Sequence, residues 1–597
     1  MKKITKQLFF GSIVFFIIFA VNIRFAGAAS MPVILYTDIT SGPNTGGENN
    51  KGCYLSIFGQ NFGMPVGNLP PATTRVYINN VEVGEYKYLG PSLGRPDVQQ
   101  LSVQIGTGVT LNVSSGVIKV TVNGIESNLE HVFTVRPGDI YFMSHVGSDS
   151  AGVVGNITKP FRTANGVWDR TDFGADDFLV IRGDQDYNLG SGQENLSGGY
   201  RWINIDKSGS SDSNPITTYG YPGEVVTASF SANNQRGMIT LDNPRRKYSV
   251  FANIIFDLND TGAIPIYLGF YTQKTNALDN GRLVNLKVTE GMVGYLGVNP
   301  ISIQHVDYLK MYGIGIGNQS HLAQTDLQSH MIYLSHEFNH ADVGWCYIHD
   351  SRYGRSAFKV AGDGAQQIAN VNVRIHDNLF ENLPQEAIQF GEGARECFFY
   401  NNIINKACTK GAAVSGFSPL SIRGSDLNVG DYYIYNNTIY SDAVGADGHG
   451  GIIQMGYSPG STYPHSITIF NNIVYAISQT TNYYQINDTR FTVDKITLDN
   501  NIWYGSASPL PVFANDELNA DPYFVDSANG DFSLRPSSVA IDSGSQSVAS
   551  FVKTDFFGTT RPQGAAFDIG AFEYVSTEQN VVIDTTPPMV PVSLSVE

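Results

Sequence analysis

Asn402-Ile403-Ile404, Asn437-Thr438-Ile439, Asn472-Ile473-Val474 and Asn501-Ile502-Trp503 are copies of one short pattern, an asparagine followed by apolar residues, and Asn378-Leu379-Phe380 precedes them. The steps from one copy to the next are 24, 35, 35 and 29 residues. That period is too long for a helical heptad. It fits one coil of a solenoid, in which short strands stack on their equivalents one turn later and like residues form ladders. Asparagine suits a corner of such a coil, because it tolerates left-handed backbone angles and its amide can bond to the asparagine of the next coil. Asn253-Ile254-Ile255 extends the pattern towards the N-terminus. Hairpin repeats would also recur, but with more two-residue turn signals between strands. Roughly 435 residues at this period give about 12 to 18 coils, a rod about 60 to 85 Å long at ~4.8 Å per strand.

Composition agrees with a stacked fold. Of 597 residues, 15% are charged and 62 are glycine. An average soluble chain has ~25% charged residues, so coiled coils and helical bundles, which live on Glu and Lys, are excluded. An aromatic content of 12% excludes a disordered chain. The formal charge of −17 argues against nucleic acid as a partner. Lys2, Lys3 and Lys6 precede an apolar run at 8–23, and Ala26-Gly27-Ala28 offers the small residues of a cleavage site, so residues 1–29 are expected to be a secretory signal. Its removal takes away Lys2, Lys3, Lys6 and Arg24 and no acid, which makes the chain more negative still. No later run is long and apolar enough for a membrane span, so the mature chain is expected to be secreted or held at the cell surface. Cys53, Cys346, Cys397 and Cys408 are too few for a disulfide framework. Cys397 and Cys408 either pair or stay as buried thiols, and no Cys-x-x-Cys zinc spacing exists.

Residues 30–136 read as a separate small all-β domain. Tyr54-Leu55-Ser56-Ile57-Phe58, Thr74-Arg75-Val76-Tyr77-Ile78, Leu101-Ser102-Val103-Gln104-Ile105 and Val117-Ile118-Lys119-Val120-Thr121-Val122 are strand-like runs, and Asn123-Gly124 is a tight hairpin signal. Ser41-Gly42-Pro43, Ser56-Ile57-Phe58-Gly59-Gln60-Asn61-Phe62-Gly63 and Phe133-Thr134-Val135 resemble an IPT/TIG domain, which implies an immunoglobulin-like sandwich serving as a spacer or binding platform. Residues 137–575 resemble secreted right-handed parallel β-helix proteins, many of which are polysaccharide lyases or glycosidases. The opening that carries this resemblance is Tyr141-Phe142-Met143-Ser144-His145-Val146-Gly147-Ser148-Asp149 with Lys159-Pro160-Phe161-Arg162-Thr163. The closing cap is Asp521-Pro522-Tyr523-Phe524, Arg561-Pro562 and Asp568-Ile569-Gly570-Ala571-Phe572-Glu573. The expected fold is therefore all-β, an N-terminal immunoglobulin-like sandwich followed by a long right-handed parallel β-helix, with residues 576–597 a polar, proline-containing tail or linker.

The bore of such a helix is filled by stacked aliphatic side chains, so chemistry has to sit on an outer face. The densest run of ionisable residues extends from His330 to Arg395. Aligning coils on Ile332, Phe358, Ile388 and Ile453 as inward residues leaves Tyr333, Lys359, Gln389 and Gln454 outward at one equivalent position. Tyr333, Lys359 and Gln389 are thus expected to form a ladder, flanked by His330, His336, Arg352, Arg355, Asp363, Glu386 and Glu392, with Tyr347, Tyr353 and Phe358 nearby. β-Elimination on an acidic glycan needs its carboxylate neutralised and a base to take the C5 proton. Lys359 or His330 would be the base, Arg355 the carboxylate partner and Tyr333 the donor to the leaving oxygen. Gln389, Arg352, Tyr353 and His336 would hold substrate, and Glu386, Asp363 and Glu392 would hold a calcium ion. The Gly-His-Gly of Asp447-Gly448-His449-Gly450-Gly451 resembles a β-helix galacturonase motif but lacks the accompanying aspartates and Arg-x-Lys, and is read as a turn, as are Asp257 and Asp260.

The expected function is binding, with cleavage by lyase chemistry, of an acidic polysaccharide laid along the rod. Two alternatives stand beside it: a non-catalytic surface or matrix protein that uses the rod as a spacer or adhesive, and a β-helix glycoside hydrolase working through Glu386 and Glu392 or Asp447.

Overall fold

The structure is a computed structural model. It describes residues 31–576 apart from 190–200, 233–234, 241–244, 270–276, 290, 292–298, 318–329, 337, 352–355, 363–369, 385, 392, 409–417, 424–430, 442–450, 456–465, 478–481, 487–492, 506–516 and 519. The expected leader and tail lie outside these residues.

Residues 32–136 form the expected two-sheet sandwich. One sheet joins Val33–Thr37, Tyr54–Gln60, Gln99–Gln104 and Glu85–Pro91, and the other is built around Val132–Val135, Gly116–Val122 and Thr74–Ile78. Alternation decides the facing: in Gly116–Val122 the side chains of Ile118, Val120 and Val122 are buried while those between them are more exposed. Asn123 and Gly124 both have positive φ, 51° and 83°, as a tight hairpin turn requires, and Val122 pairs with Ile125 across it.

From Ile140 onward the chain winds. Among the described residues three sheets of 12, 12 and 10 strands run side by side, and successive strands within each sheet are parallel, one contributed by each coil. The first sheet runs from Ile140–Met143 to Ile496–Asp499, the second from Tyr187–Asn188 to Glu517–Leu518, and the third from Arg201–Asn204 to Asn482–Ile486. Parallel crossovers of this kind are right-handed. Twelve strands at ~4.8 Å give about 53 Å, shorter than expected because the closing residues after Asp521 fold beside the rod as a cap instead of extending it. Inside, Ile332, Phe358, Ile388, Leu420 and Ile453 stack in register within one continuous apolar core. A five-residue helix, Ala164–Trp168, closes the first end, with Thr163 Oγ1 accepting from the Gly166 amide.

The repeated asparagine does one of the two jobs expected of it. Asn378, Asn402, Asn437, Asn472 and Asn501 are wholly buried, and each amide oxygen accepts from the residue one coil back. Asn402 donates its backbone N–H and its Nδ2 to Asn437 Oδ1 at 2.9 and 3.1 Å, and Asn437 repeats both bonds to Asn472 at 2.9 Å. The left-handed angle belongs to the residue before: Asp377, Asn401, Asn436, Asn471 and Asn500 have φ between 51° and 60°. Asn253, with φ of 60°, is itself a corner residue, so it stands one place out of the ladder, and Ile254 takes the buried place. All four cysteines are buried and free, so Cys397 and Cys408 do not pair.

The sandwich lies alongside the rod on the outer face of the first sheet. Tyr36, Tyr54 and Phe58 share one apolar cluster with Phe178, Tyr219, Val250, Val284 and Tyr312. Arg282 donates to the carbonyls of Thr37 and Asp38, and Asn285 Oδ1 accepts from the Leu93 and Gly94 amides at 2.8 and 3.2 Å. Gly94 comes so close that a Cβ there would lie 1.8 Å from the Gly313 carbonyl oxygen. Arg95 is wholly buried where three parts meet: it pairs with Asp97 of the sandwich at 2.9 Å, donates to the Asp377 carbonyl of the rod, and lies 3.9 Å above the Phe556 ring of the cap. The cap covers the later coils, packing Phe524 and Phe532 on Ile403, Ile473 and Ile502 of the second sheet and Phe551 on Phe398 and Tyr433 of the first.

His376 is enclosed at this junction between Asp342, 3.0 Å from Nε2, and Asp377, 2.7 Å from Nδ1. Burial alone would lower its pKa, but the hydrogen bonds to the two carboxylates outweigh burial and raise it to about 10. A histidine raised in this way stabilises the fold below its unfolded value near 6.5, and the contribution is lost as pH rises through about 10. His376→Gln should therefore lower the unfolding midpoint at pH 6 and have much less effect at pH 10.5, measured by urea denaturation. Asn437→Ala leaves the Asn402 amide groups buried without their acceptor and should cost about 2–4 kcal/mol by the same measurement; a loss below about 0.5 kcal/mol would show that the ladder is ornamental.

Candidate functional site

Neither the sandwich nor the cap is packed on the outer face of the third sheet among the described residues. Alternation along each strand buries one side chain and turns out the next. Ile332 and Leu334 therefore face the core while Tyr333 faces out. Parallel pairing then aligns the outward residues into a lane that reads Tyr267, Ser302, Tyr333, Lys359, Gln389, Ser421 and Gln454. A neighbouring lane holds His330, Ser356 and Glu386, and Arg201 and Arg236 pair in register on earlier coils.

Glu386 reaches this face through a bulge. The amides of Ala387 and Ile388 both donate to the Pro419 carbonyl, at 3.1 and 3.2 Å, which turns Glu386 to the side of Gln389. There its carboxylate is wholly buried and fully engaged: Arg423 pairs with Oε1, Ser421 Oγ donates to the same oxygen at 2.7 Å, and Gln389 Nε2 donates to Oε2 at 3.1 Å. On the accessible side, Lys359 Nζ lies 5.4 Å from the centroid of the Tyr333 ring, and the His330 ring is 5.3 Å from the same tyrosine. His330 Nδ1 is 2.7 Å from Ser356 Oγ.

Its charge balance sets this face apart. Its described charged residues are Arg201, Arg236, Lys359, Arg423 and one acid, Glu386, in a chain where acids outnumber bases 54 to 37. It also gathers buried polar atoms with no hydrogen-bond partner: Gln304 Oε1, Gln389 Oε1, Ser418 Oγ and Gln454 Nε2. Each such atom costs about 1–3 kcal/mol if left dry, a cost shared by Thr217 Oγ1, Thr218 Oγ1 and Ser249 Oγ of the first sheet. Arg201, Arg236, Tyr267, Tyr333 and Lys359 are half-buried, whereas Glu386, Gln389, Ser421 and Gln454 are buried. Among the described side chains of this lane the accessible ones therefore end at Lys359.

No protein-family model matches this chain, and no curated protein matches it in sequence. Among solved structures, pectate lyase Pel9A is similar over 73% of this chain and 96% of its own, with 14% identity and a TM-score of 0.44. XylC in complex with xylose is similar over 72% and 98%, with 10% identity and a TM-score of 0.33. The A-module of the Azotobacter vinelandii mannuronan C-5 epimerase AlgE4 is similar over 56% and 91%, with 10% identity and a TM-score of 0.26. The chain is a parallel β-helix protein. What this β-helix does has to come from its own residues.

Of the expected site residues, Tyr333, Lys359 and Gln389 stand on consecutive strands as predicted, with Gln454 in the same lane beyond an intervening Ser421. His330 flanks them. His336 sits past the end of its strand, its Nδ1 2.9 Å from Ser335 Oγ and its ring 5.0 Å from His305. Tyr347 belongs to the second sheet, where it donates to Glu381 at 2.7 Å, and Phe358 is a core residue, so neither adds to the patch. Arg352, Tyr353, Arg355, Asp363, Glu392 and Asp447 lie outside the described residues. Of the three residues expected to hold calcium only Glu386 is described, and its carboxylate is engaged by Arg423, Ser421 and Gln389. Asp257, expected in a turn, is the last residue of the strand Ile255–Asp257, its Oδ1 accepting from the Asn259 amide at 3.1 Å, and Asp260 follows in the turn with φ of 55°. Arg236, Tyr267, Ser421 and Arg423 were missed. The signal for two of them was present: Ile266-Tyr267-Leu268 and Leu420-Ser421-Ile422 repeat the apolar–outward–apolar triplet of Ile332-Tyr333-Leu334.

Removing Arg423 leaves Glu386 as a buried charge without a cation. Arg423→Ala should destabilise by about 3–5 kcal/mol, and the double change with Glu386→Gln should recover much of that loss; both are read by chemical denaturation.

Proposed function

We propose that the protein is an exported, carbohydrate-active β-helix that binds an acidic polysaccharide along the outer face of its third sheet and cleaves it by β-elimination. The observation that carries this reading is the basic stripe ending at Lys359 beside Tyr333, on an otherwise acidic chain. An anionic polymer is drawn to such a stripe and repelled by the rest of the surface. In the reaction, Lys359 in its neutral form takes the proton from C5 of a uronate, the electrons form the C4–C5 double bond, and the C4–oxygen bond breaks. Tyr333 gives its hydroxyl proton to the departing oxygen, and Arg355 meets the substrate carboxylate. The sandwich, read as an IPT/TIG module, serves as a rigid flank.

A non-catalytic reading draws on one observation: Glu386, the acid of this face, is neutralised by Arg423, which leaves a cationic surface suited to holding a polymer. The two readings separate in one experiment. The full-length protein is incubated with polygalacturonate, alginate and neutral glucans, and unsaturated product is followed by ultraviolet absorbance, with and without chelator. The lyase reading expects absorbance with a uronate polymer and a fall of about 100-fold or more in Lys359→Ala. Binding without absorbance supports the non-catalytic reading, and new reducing ends without absorbance would indicate hydrolysis.

A further inference from the structure

The third sheet carries a second cation-on-ring pair, well away from Lys359. The Arg236 guanidinium lies 5.3 Å from the centroid of Tyr267, much as Lys359 lies over Tyr333. Both tyrosines stand in one lane with only Ser302 between them. Arg236 is on the strand before Tyr267 and Lys359 on the strand after Tyr333, so the two cations bracket the two rings. Four strand spacings, ~19 Å, separate the strands of Arg236 and Lys359. Arg201 lies in register with Arg236 one coil earlier and adds a cation at the far end.

This spacing has chemical content. A linear chain of 1,4-linked pyranose units advances by close to one strand spacing per unit, so a polymer laid parallel to the rod axis stays in step with the coils. Tyrosine rings offer faces on which sugar rings stack, and a guanidinium recognises a carboxylate through its fork of N–H donors; Arg236 Nη1 also donates to the Gln235 carbonyl at 3.2 Å. The half-burial of Arg236 and Tyr267 fixes their position while leaving part of each accessible.

We propose that Arg236 and Tyr267, extended by Arg201, form a distal subsite for a carboxylate-bearing sugar of the same polymer that lies over Tyr333 and Lys359. This rests on the acidic-polysaccharide reading above and adds to it a minimum length and a direction. A chain spanning both pairs needs about five units, one for each strand from Arg236 to Lys359. It runs along the rod and not across it.

The test uses the full-length protein with oligogalacturonates and oligomannuronates of two to eight units, binding being measured by titration calorimetry and melting temperature recorded for every variant. Wild-type affinity should rise with length up to about five units and then level. Arg236→Gln and Tyr267→Ala should each weaken binding of the hexamer about tenfold, towards the trimer value, while leaving trimer affinity unchanged; Arg236→Lys should keep most of the gain. Should Tyr267→Ala lower the melting temperature, the Arg236 variants decide the matter. Hexamer affinity equal to wild type in both variants, or equal losses for trimer and hexamer, overturns the distal subsite. If uronates bind and Lys359→Ala still lowers turnover, the parent reading survives that outcome. If the wild type binds no uronate of any length, both fall together.

Discussion

Burying an amide forces it to find partners for one oxygen and two hydrogens, and that requirement disciplines the rod. From Asn378 to Asn472 each ladder asparagine satisfies it by reaching to the asparagine of the next coil, ending on Asn501, and the geometry admits one vertical alignment. A slip of a single residue between coils would orphan these groups and turn every outward side chain inward. Register is consequently held at one corner and transmitted around each coil, and the lanes of the third sheet exist only because it is. The left-handed residue before each ladder asparagine turns the chain, so the Asn-Asn dipeptides divide turning and alignment between neighbours.

A rod with three faces has three surfaces to account for. The first is covered by the sandwich over its early coils and by Phe551 and its neighbours over later ones, and the second is partly covered by Phe524 and Phe532. Apolar residues project outward on those two sheets, as with Ile473 and Ile502, where a soluble surface would not tolerate them. On the third sheet the outward positions are instead hydroxyls, amides, tyrosines and cations. Sequence composition along one lane thus separates the surfaces used for packing from the one left polar.

Much of this was legible beforehand, for a physical reason. A solenoid repeats its local rules, so one alignment on Ile332, Phe358, Ile388 and Ile453 sufficed to place Tyr333, Lys359 and Gln389 side by side. Three things were not legible. Asn253 looks like a ladder residue in the sequence, and only its φ shows it to be a corner. Glu386 shares the inward parity of Ile388, and a bulge at Ala387 overrides that parity. Arg423 neutralises Glu386 from the end of the next strand in the sheet, a pairing that depends on coil lengths that vary from 24 to 35 residues and so cannot be counted out in advance. The resemblance to β-helix enzymes anticipated the architecture, whereas Tyr347, grouped with the patch by its nearness in sequence, belongs to the second sheet.

The meeting of Arg95, Asp377 and Phe556 bears on the order in which the molecule assembles. The sandwich is the first part of the described chain and pairs its strands into two sheets of its own, so it can begin to fold while later residues are still being made. Its seat, however, includes Tyr312 and Trp345 of the rod, and Gly558 of the cap lies against Val33 and Leu35. Contacts separated by several hundred residues close late, because the intervening chain must first be ordered. The earliest domain is therefore the last to dock, and until it does, the aromatic face of Tyr36 and Phe58 is an adhesive surface that a chaperone or a neighbouring chain would find first.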